Sequence, residues 1–153
     1  MASCLHGGLS EEFGWCGFAL PTLQARSSAA TPSCILGVIE GLWHLPLAFT
    51  PGLAGWEGRA LFIFFVWRIP VSITRTWIFN NTKGSVLAAV LFHAMGNTAS
   101  DIMPISVPQL ISGGMGYFFL LLFAVPIAIA IVLVFGYRTL VRHKEIPIIG
   151  IDE

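Results

Sequence analysis

What most limits the folds open to this chain is where it keeps its charges. From Gly113 to Gly136 there is no charged side chain, and Pro126 alone interrupts an apolar run. The run exceeds the roughly 20 residues that carry a helix across a bilayer. Hydrocarbon offers no partner to a backbone N–H or C=O, so a spanning chain must satisfy these groups within helices or a closed barrel. No stretch of this sequence shows the alternating pattern of strands. The composition agrees, at 56% hydrophobic and 10% charged residues, against about 25% charged in an ordinary soluble domain. The expected fold class is all-α, a multi-pass transmembrane helical bundle of about four membrane segments plus a short N-terminal helix.

Charge and cysteine usage exclude several functions. The formal net charge is zero, which argues against nucleic acid or another polyanion as partner. Cys4, Cys16 and Cys34 lack the spacing of a metal site and are odd in number, so they read as free thiols. The first residues have neither the basic start nor the apolar core of a signal peptide, and the C-terminus carries no lipidation box. Arg138, Arg142, His143 and Lys144 follow the Gly113–Gly136 run. Basic residues beside a span favour the cytoplasmic side, so the C-terminus is expected there.

Along the chain, residues 1–10 read as a tail ending in a Gly-Gly turn, with Ser10 capping a helix whose first turn holds Glu11 and Glu12. Phe13 to Leu23 is apolar but short, a partial or interfacial helix. Helices are expected at 33–49, stopped by Pro46 or by Pro51-Gly52, at 60–80 with a kink at Pro70, and at 85–97. Loops fall at 51–59, 80–84 and 101–108. No inverted repeat of the transporter kind is present. The whole reads as one membrane domain over 1–153: a catalytic-core portion at 10–100, the span at 113–136 and a basic tail at 137–153.

Titratable groups within apolar runs are expensive and usually face a partner, a cavity or a substrate path. Two histidines qualify, His44 in Gly-Leu-Trp-His-Leu-Pro and His93 in Phe-His-Ala-Met-Gly-Asn. His93 and Asn97 are spaced i, i+4 and share a helix face. Glu40 stands four residues before His44, where it either orients the imidazole or pairs with Arg68 or Arg75. The simplest structural uses are a His44 satisfied by a backbone carbonyl, polar helix glue for His93 and Asn97, and helix-dipole acids for Glu11 and Glu12. Taken together, the same groups suit hydrolysis. A carboxylate can accept the proton of a water, and imidazole and amide can donate to an oxyanion. Alternatively, one Glu and two His form a three-ligand zinc set with an open fourth position, the other Glu acting on the metal-bound water.

Three segments, in order, resemble the motifs of the CPBP family, the type II CAAX prenyl proteases and bacteriocin-processing intramembrane proteases: Glu-Glu-Phe-Gly-Trp-Cys-Gly-Phe-Ala-Leu-Pro (11–21), Gly-Leu-Trp-His-Leu-Pro-Leu (41–47) and Phe-His-Ala-Met-Gly-Asn (92–97). The segment 76–86 is similar to the family's linker into its third motif. The resemblance implies an intramembrane endopeptidase with Glu11, Glu12, His44, His93 and Asn97 as its site. Glu11 would activate the water and Glu12 support it. A zinc-dependent version would use Glu11, His44 and His93 as ligands. The implied partners are the lipid bilayer and a membrane-embedded or lipidated peptide substrate. Two positions depart from the pattern. Cys16 stands where the first motif, Glu-Glu-x-x-x-Arg, has its arginine, which leaves Glu12 without that ion-pair partner; an arginine there would be expected to support it. Glu40 replaces an aromatic. Family members also carry more spans before the Glu-Glu motif, so the chain is expected to be an N-terminally truncated member. The competing expectation is a non-catalytic membrane protein of the same fold, in bacteriocin immunity or as a partner-binding scaffold.

Overall fold

The computed structural model describes residues 2–49, 59–102 and 115–142. Among them every regular element is helical: α1 (Ala2–Gly14), a π-helical turn (Trp15–Ala19), α2 (Leu20–Gln24), α3 (Ala30–Ala48), α4 (Arg59–Asn81), α5 (Val86–Ile102) and α6 (Met115–Phe135). No helix among the described residues is long and apolar enough to cross a membrane. The expected loops at 51–58 and 103–108 lie outside the described residues. Asp101 and Ile102, assigned to the second of these loops by sequence, belong to α5.

The N-terminus differs most from the expectation. Residues 2–10 are helical, and Ser10 lies in mid-helix with its Oγ donating to the Gly7 carbonyl at 3.1 Å. Glu11 and Glu12 therefore lie well past the first turn, where the dipole argument applies. Gly7 and Gly8 mark a helix contact. A Cβ on Gly8 would lie 2.9 Å from the Val90 carbonyl oxygen of α5, and one on Gly7 would lie 3.2 Å from Asn97 Nδ2. Small residues admit this close backbone approach.

The buried face of this first rod runs through Gly8, Glu12, Cys16 and Leu20. A four-residue repeat drifts against a 3.6-residue turn. The wider π-turn at Trp15–Ala19 offsets that drift and keeps Leu20 in line with Glu12. Pro21 sits in the first turn of α2, where a missing N–H costs little.

Helix α4 is central, with α3, α5 and α6 packed against it and α1 lying on α5. The α3–α4 approach uses Gly37 and Gly41, a small-xxx-small pair. A Cβ on Gly37 would come within 2.9 Å of Ile69 Cα, and one on Gly41 would meet the Phe65 ring. Pro46 does not stop α3, which continues to Ala48. Only the last turn lies beyond it, so the lost backbone hydrogen bond is close to an end already short of partners.

One apolar cluster joins Cys16, Leu20, Leu36, Phe79 and Ala89; a second joins Ala29, Ile131 and Leu140. Near the second, the segment after α6 turns on Gly136 (φ 77°). Its Tyr137 and Arg138 carbonyls accept from the N–H groups of Ala30 and Ala29 at 3.0 and 2.7 Å. This satisfies donors left open at the start of α3. Asn80 donates to the Thr139 carbonyl at 2.8 Å and exchanges amide hydrogen bonds with Gln24. The segment after α6 is thus tied to the start of α3 and the end of α4 at one side of the bundle.

Candidate active site

The polar residues of the middle of the fold are turned inward. Glu12 is 0% exposed and Glu40 1%, while Phe18 is 71% exposed and Leu133 78%. Unpaired, such charges would cost several kcal/mol each; four helices supply their partners.

Glu12, on α1, is the hub. Its Oε1 accepts from His93 Nδ1 of α5 at 2.8 Å and from Arg75 Nη1 of α4 at 2.9 Å. Arg75 continues the chain of charges to Glu40 Oε1 of α3. Glu40 Oε2 meets Arg68 Nη2 at 3.1 Å. The Arg68 guanidinium lies over the Phe64 and Trp67 rings at 5.6 and 5.8 Å, a cation–π arrangement. The order is therefore His93, Glu12, Arg75, Glu40, Arg68, two carboxylates alternating with two guanidiniums.

One expectation is corrected here, and of the two uses open to Glu40 the structure shows the pairing with Arg68 and Arg75. Glu12 is not left without a cation by Cys16, because Arg75 reaches it from another helix. The Glu40 side chain does not orient His44, because both its oxygens face arginines. His44 Nδ1 instead meets the Glu40 backbone carbonyl, one turn back, at 2.7 Å. Its ring packs edge-on against Phe64 at 5.7 Å. A carbonyl only accepts, so Nδ1 carries the proton and Nε2 is left for another partner.

Asn97 lies one turn beyond His93 on α5. The Gly7 Cβ position falls 3.2 Å from Asn97 Nδ2 and 3.8 Å from His93 Nε2. The two side chains therefore converge on the notch that Gly7 leaves in α1. Glu11 is half-buried and interacts electrostatically with His44 and Arg68. Glu11 Oε2 and Glu12 Oε2 are both buried without a hydrogen-bond partner among the described residues. Two acceptor atoms in such a place suit a donor such as water. Among the described residues no group of three or more His, Cys, Asp or Glu is placed to hold a metal ion, so Glu11, His44 and His93 do not assemble the expected three-ligand set.

Arg75 is the site residue that the motifs do not reveal. Its signal in the sequence was a cation within an apolar helix facing a motif that lacks its own, and Glu40 is explained by the same network.

Known proteins match the segment that carries these groups. Residues 1–99 match the family model described as type II CAAX prenyl endopeptidase Rce1-like. A relative from Methanococcus maripaludis, CAAX prenyl protease 2, is 31% identical over 101 residues, which cover 63% of this chain and 37% of the relative. The chain thus spans well under half of that protein's length. No solved structure matches. With its Glu-Glu, His44 and His-x-x-x-Asn segments carried on three helices of one bundle, the chain belongs to the Rce1-like type II CAAX prenyl endopeptidase family.

Proposed function

We propose that this protein is an intramembrane endopeptidase that cleaves a peptide bond with an activated water and forms no covalent acyl-enzyme. The observation that carries this reading is the 2.8 Å hydrogen bond between Glu12 and His93. It joins the first and third motifs in the interior and fixes which nitrogen of His93 is free.

Each group has a role in this scheme. Glu11, with Oε2 unpartnered, accepts the proton of the attacking water as general base. His44, with Nδ1 held by the Glu40 carbonyl, offers Nε2 to that water. Asn97 Nδ2 donates to the oxyanion that forms as the water adds to the carbonyl, with His93 Nε2 beside it on the ring whose Nδ1 Glu12 holds. Glu12 holds His93 in position. Collapse of the tetrahedral adduct expels the amine, which takes up the proton from the carboxyl group. Cys16 is buried against Leu20, Leu36, Phe79 and Ala89, a poor place for a nucleophile.

The location proposed is a cell membrane, with the helices forming a multi-pass bundle. Large apolar side chains such as Phe13, Trp43, Phe62 and Phe123 face outward while carboxylates and guanidiniums face inward. Soluble monomers rarely expose contiguous apolar surface on this scale, whereas a bilayer requires it. The substrate proposed is a lipidated CAAX-type C-terminus or another membrane peptide. The rival reading, a non-catalytic scaffold of the same fold, drew on Cys16 and Glu40. Both positions now have an account in the arginine network.

The test uses the purified chain in proteoliposomes with a farnesylated CAAX-type peptide and an unlipidated leader-type peptide. Mass spectrometry is expected to find cleavage of one of them, one solvent oxygen in the new carboxylate, and no acyl adduct on the protein. Glu11→Gln and His93→Ala are expected to abolish it. Cleavage of neither peptide, or undiminished cleavage by both variants, would end this reading.

A further inference from the structure

From the ion network we infer that Arg75 is the positioning residue of this site: it replaces, from α4, the arginine that the first motif lacks at Cys16, and it holds Glu12 where Glu12 can orient His93. Its kinetic consequence rests on the peptidase reading above. The network itself does not.

The argument starts from charge. A buried carboxylate needs a cation or several donors. Position 16 is one helical turn from Glu12, the place from which a side chain on the same helix would supply it. Cys16 is 0% exposed and cannot do so. Arg75 is itself 5% exposed at its side chain and points its Nη1 at Glu12 Oε1. The same oxygen accepts from His93 Nδ1, so one atom ties the guanidinium to the imidazole. An arginine delivered from α4 must cross more of the interior than one on α1. Glu40 meets that demand by facing the same Nη1 of Arg75 from α3, and Arg68 balances Glu40. Ser72, one turn before Arg75, accepts from Nη2 at 3.4 Å. The departures at 16 and 40 are then one change. The cation that the motif places on α1 is supplied here from α4, and α3 carries the carboxylate that holds it.

A packing-only role for Arg75 predicts something different. Removing it would loosen the bundle, and a cation supplied from position 16 would do nothing for His93. If Arg75 positions, what matters is a guanidinium at Glu12, whichever helix delivers it. The exchange variant Cys16→Arg/Arg75→Cys separates these, because it keeps the composition and moves the cation back to α1.

The experiment is a double-mutant cycle on the full chain in proteoliposomes, with Cys16→Arg, Arg75→Cys and the exchange variant. One readout is peptide cleavage, resolved into kcat and KM. The other is the ring-nitrogen NMR resonances of His93, which need no substrate. Arg75→Cys is expected to lower kcat about 10–100-fold, the range for loss of a group that orients a reacting residue, with KM little changed, and to shift the His93 Nδ1 resonance. The exchange variant is expected to recover at least about tenfold of that loss and to return the resonance toward wild type. Should Arg75→Cys fail to fold, the exchange variant decides alone. If it folds with a wild-type-like His93 resonance, the inference stands; if it does not, the inference falls. An Arg75→Cys protein that is folded, fully active and unchanged at His93 also overturns it. If the wild-type chain cleaves nothing while the His93 resonance follows the cation, the peptidase reading fails and the positioning of His93 by Arg75 stands.

Discussion

Gly8→Ala isolates the α1–α5 approach on which the site depends. The added Cβ would lie 2.9 Å from the Val90 carbonyl oxygen, 3.4 Å from Val90 Cγ1 and 3.6 Å from His93 Cβ. The closest of these atoms is backbone and cannot swing away. An ordinary contact needs about 3.5 Å, so the helices must part by roughly 0.5 Å. The Glu12–His93 hydrogen bond starts at 2.8 Å. Stretched by that amount it reaches about 3.3 Å, past the usual N–H···O range. A hydrogen bond to a charged group contributes about 1.5–3 kcal/mol. Losing it from the transition state corresponds to roughly 10- to 150-fold in rate. Stability should change less. Overpacking costs about 1–3 kcal/mol, and Ala gains about 1 kcal/mol over Gly in a helix. The assay is peptide cleavage in proteoliposomes beside thermal unfolding. Gly14→Ala is the control, since a Cβ there meets nothing within 4 Å. It should keep full activity. A Gly8→Ala protein as active as Gly14→Ala would refute the reasoning.

Further outcomes are expected. Gly37→Ala, whose Cβ would come 2.9 Å from Ile69 Cα, should separate α3 from α4 and lower the unfolding temperature by an amount equivalent to about 1–3 kcal/mol; an unchanged melting curve would mean the helices pack otherwise. Glu40→Gln leaves Arg68 and Arg75 with a neutral partner and should cost about 3–5 kcal/mol in an unfolding titration, as for a broken buried pair. Asn97→Ala removes an oxyanion donor and should lower kcat about 10²–10³-fold with little change in KM; a pure KM effect would remove Asn97 from that role. Because no three donors gather among the described residues, cleavage should survive chelation, and metal analysis should find less than one zinc per chain. Loss on chelation that zinc reverses would mean Glu11, His44 and His93 close around the metal.

The sequence was most informative where local physics decides. An apolar run between polar turns gave α4 at 60–80, and the helix is Arg59–Asn81. Of the expected 80–84 turn, Asn80 and Asn81 belong to α4, and the rest was visible because Gly84 takes a positive φ, 76°, that other residues resist. The i, i+4 spacing put His93 and Asn97 on one face, and both look toward α1. What it hid depends on which helix lies opposite. Gly7-Gly8 carries a turn signal in isolation and a contact signal only when α5 is beside it. Gly37 and Gly41 bear a small-xxx-small spacing that could have been read, but its partner, α4, could not. Cys16 looked like a missing charge because motif logic is confined to one helix. Arg75, 59 positions later, completes that motif through the fold. His44 shows the converse: its Nδ1 is satisfied within its own helix, the plainest of the uses its sequence context offered.

The most direct measurement is the distance between the Glu12 side-chain carbonyl carbon and His93 Nδ1, by solid-state NMR on the isotopically labelled chain in lipid bilayers. With Oε1 and Nδ1 at 2.8 Å, the account predicts a carbon–nitrogen separation of about 3.5 Å, as hydrogen-bond geometry requires. A separation beyond about 6 Å, too long for any direct hydrogen bond, would contradict it.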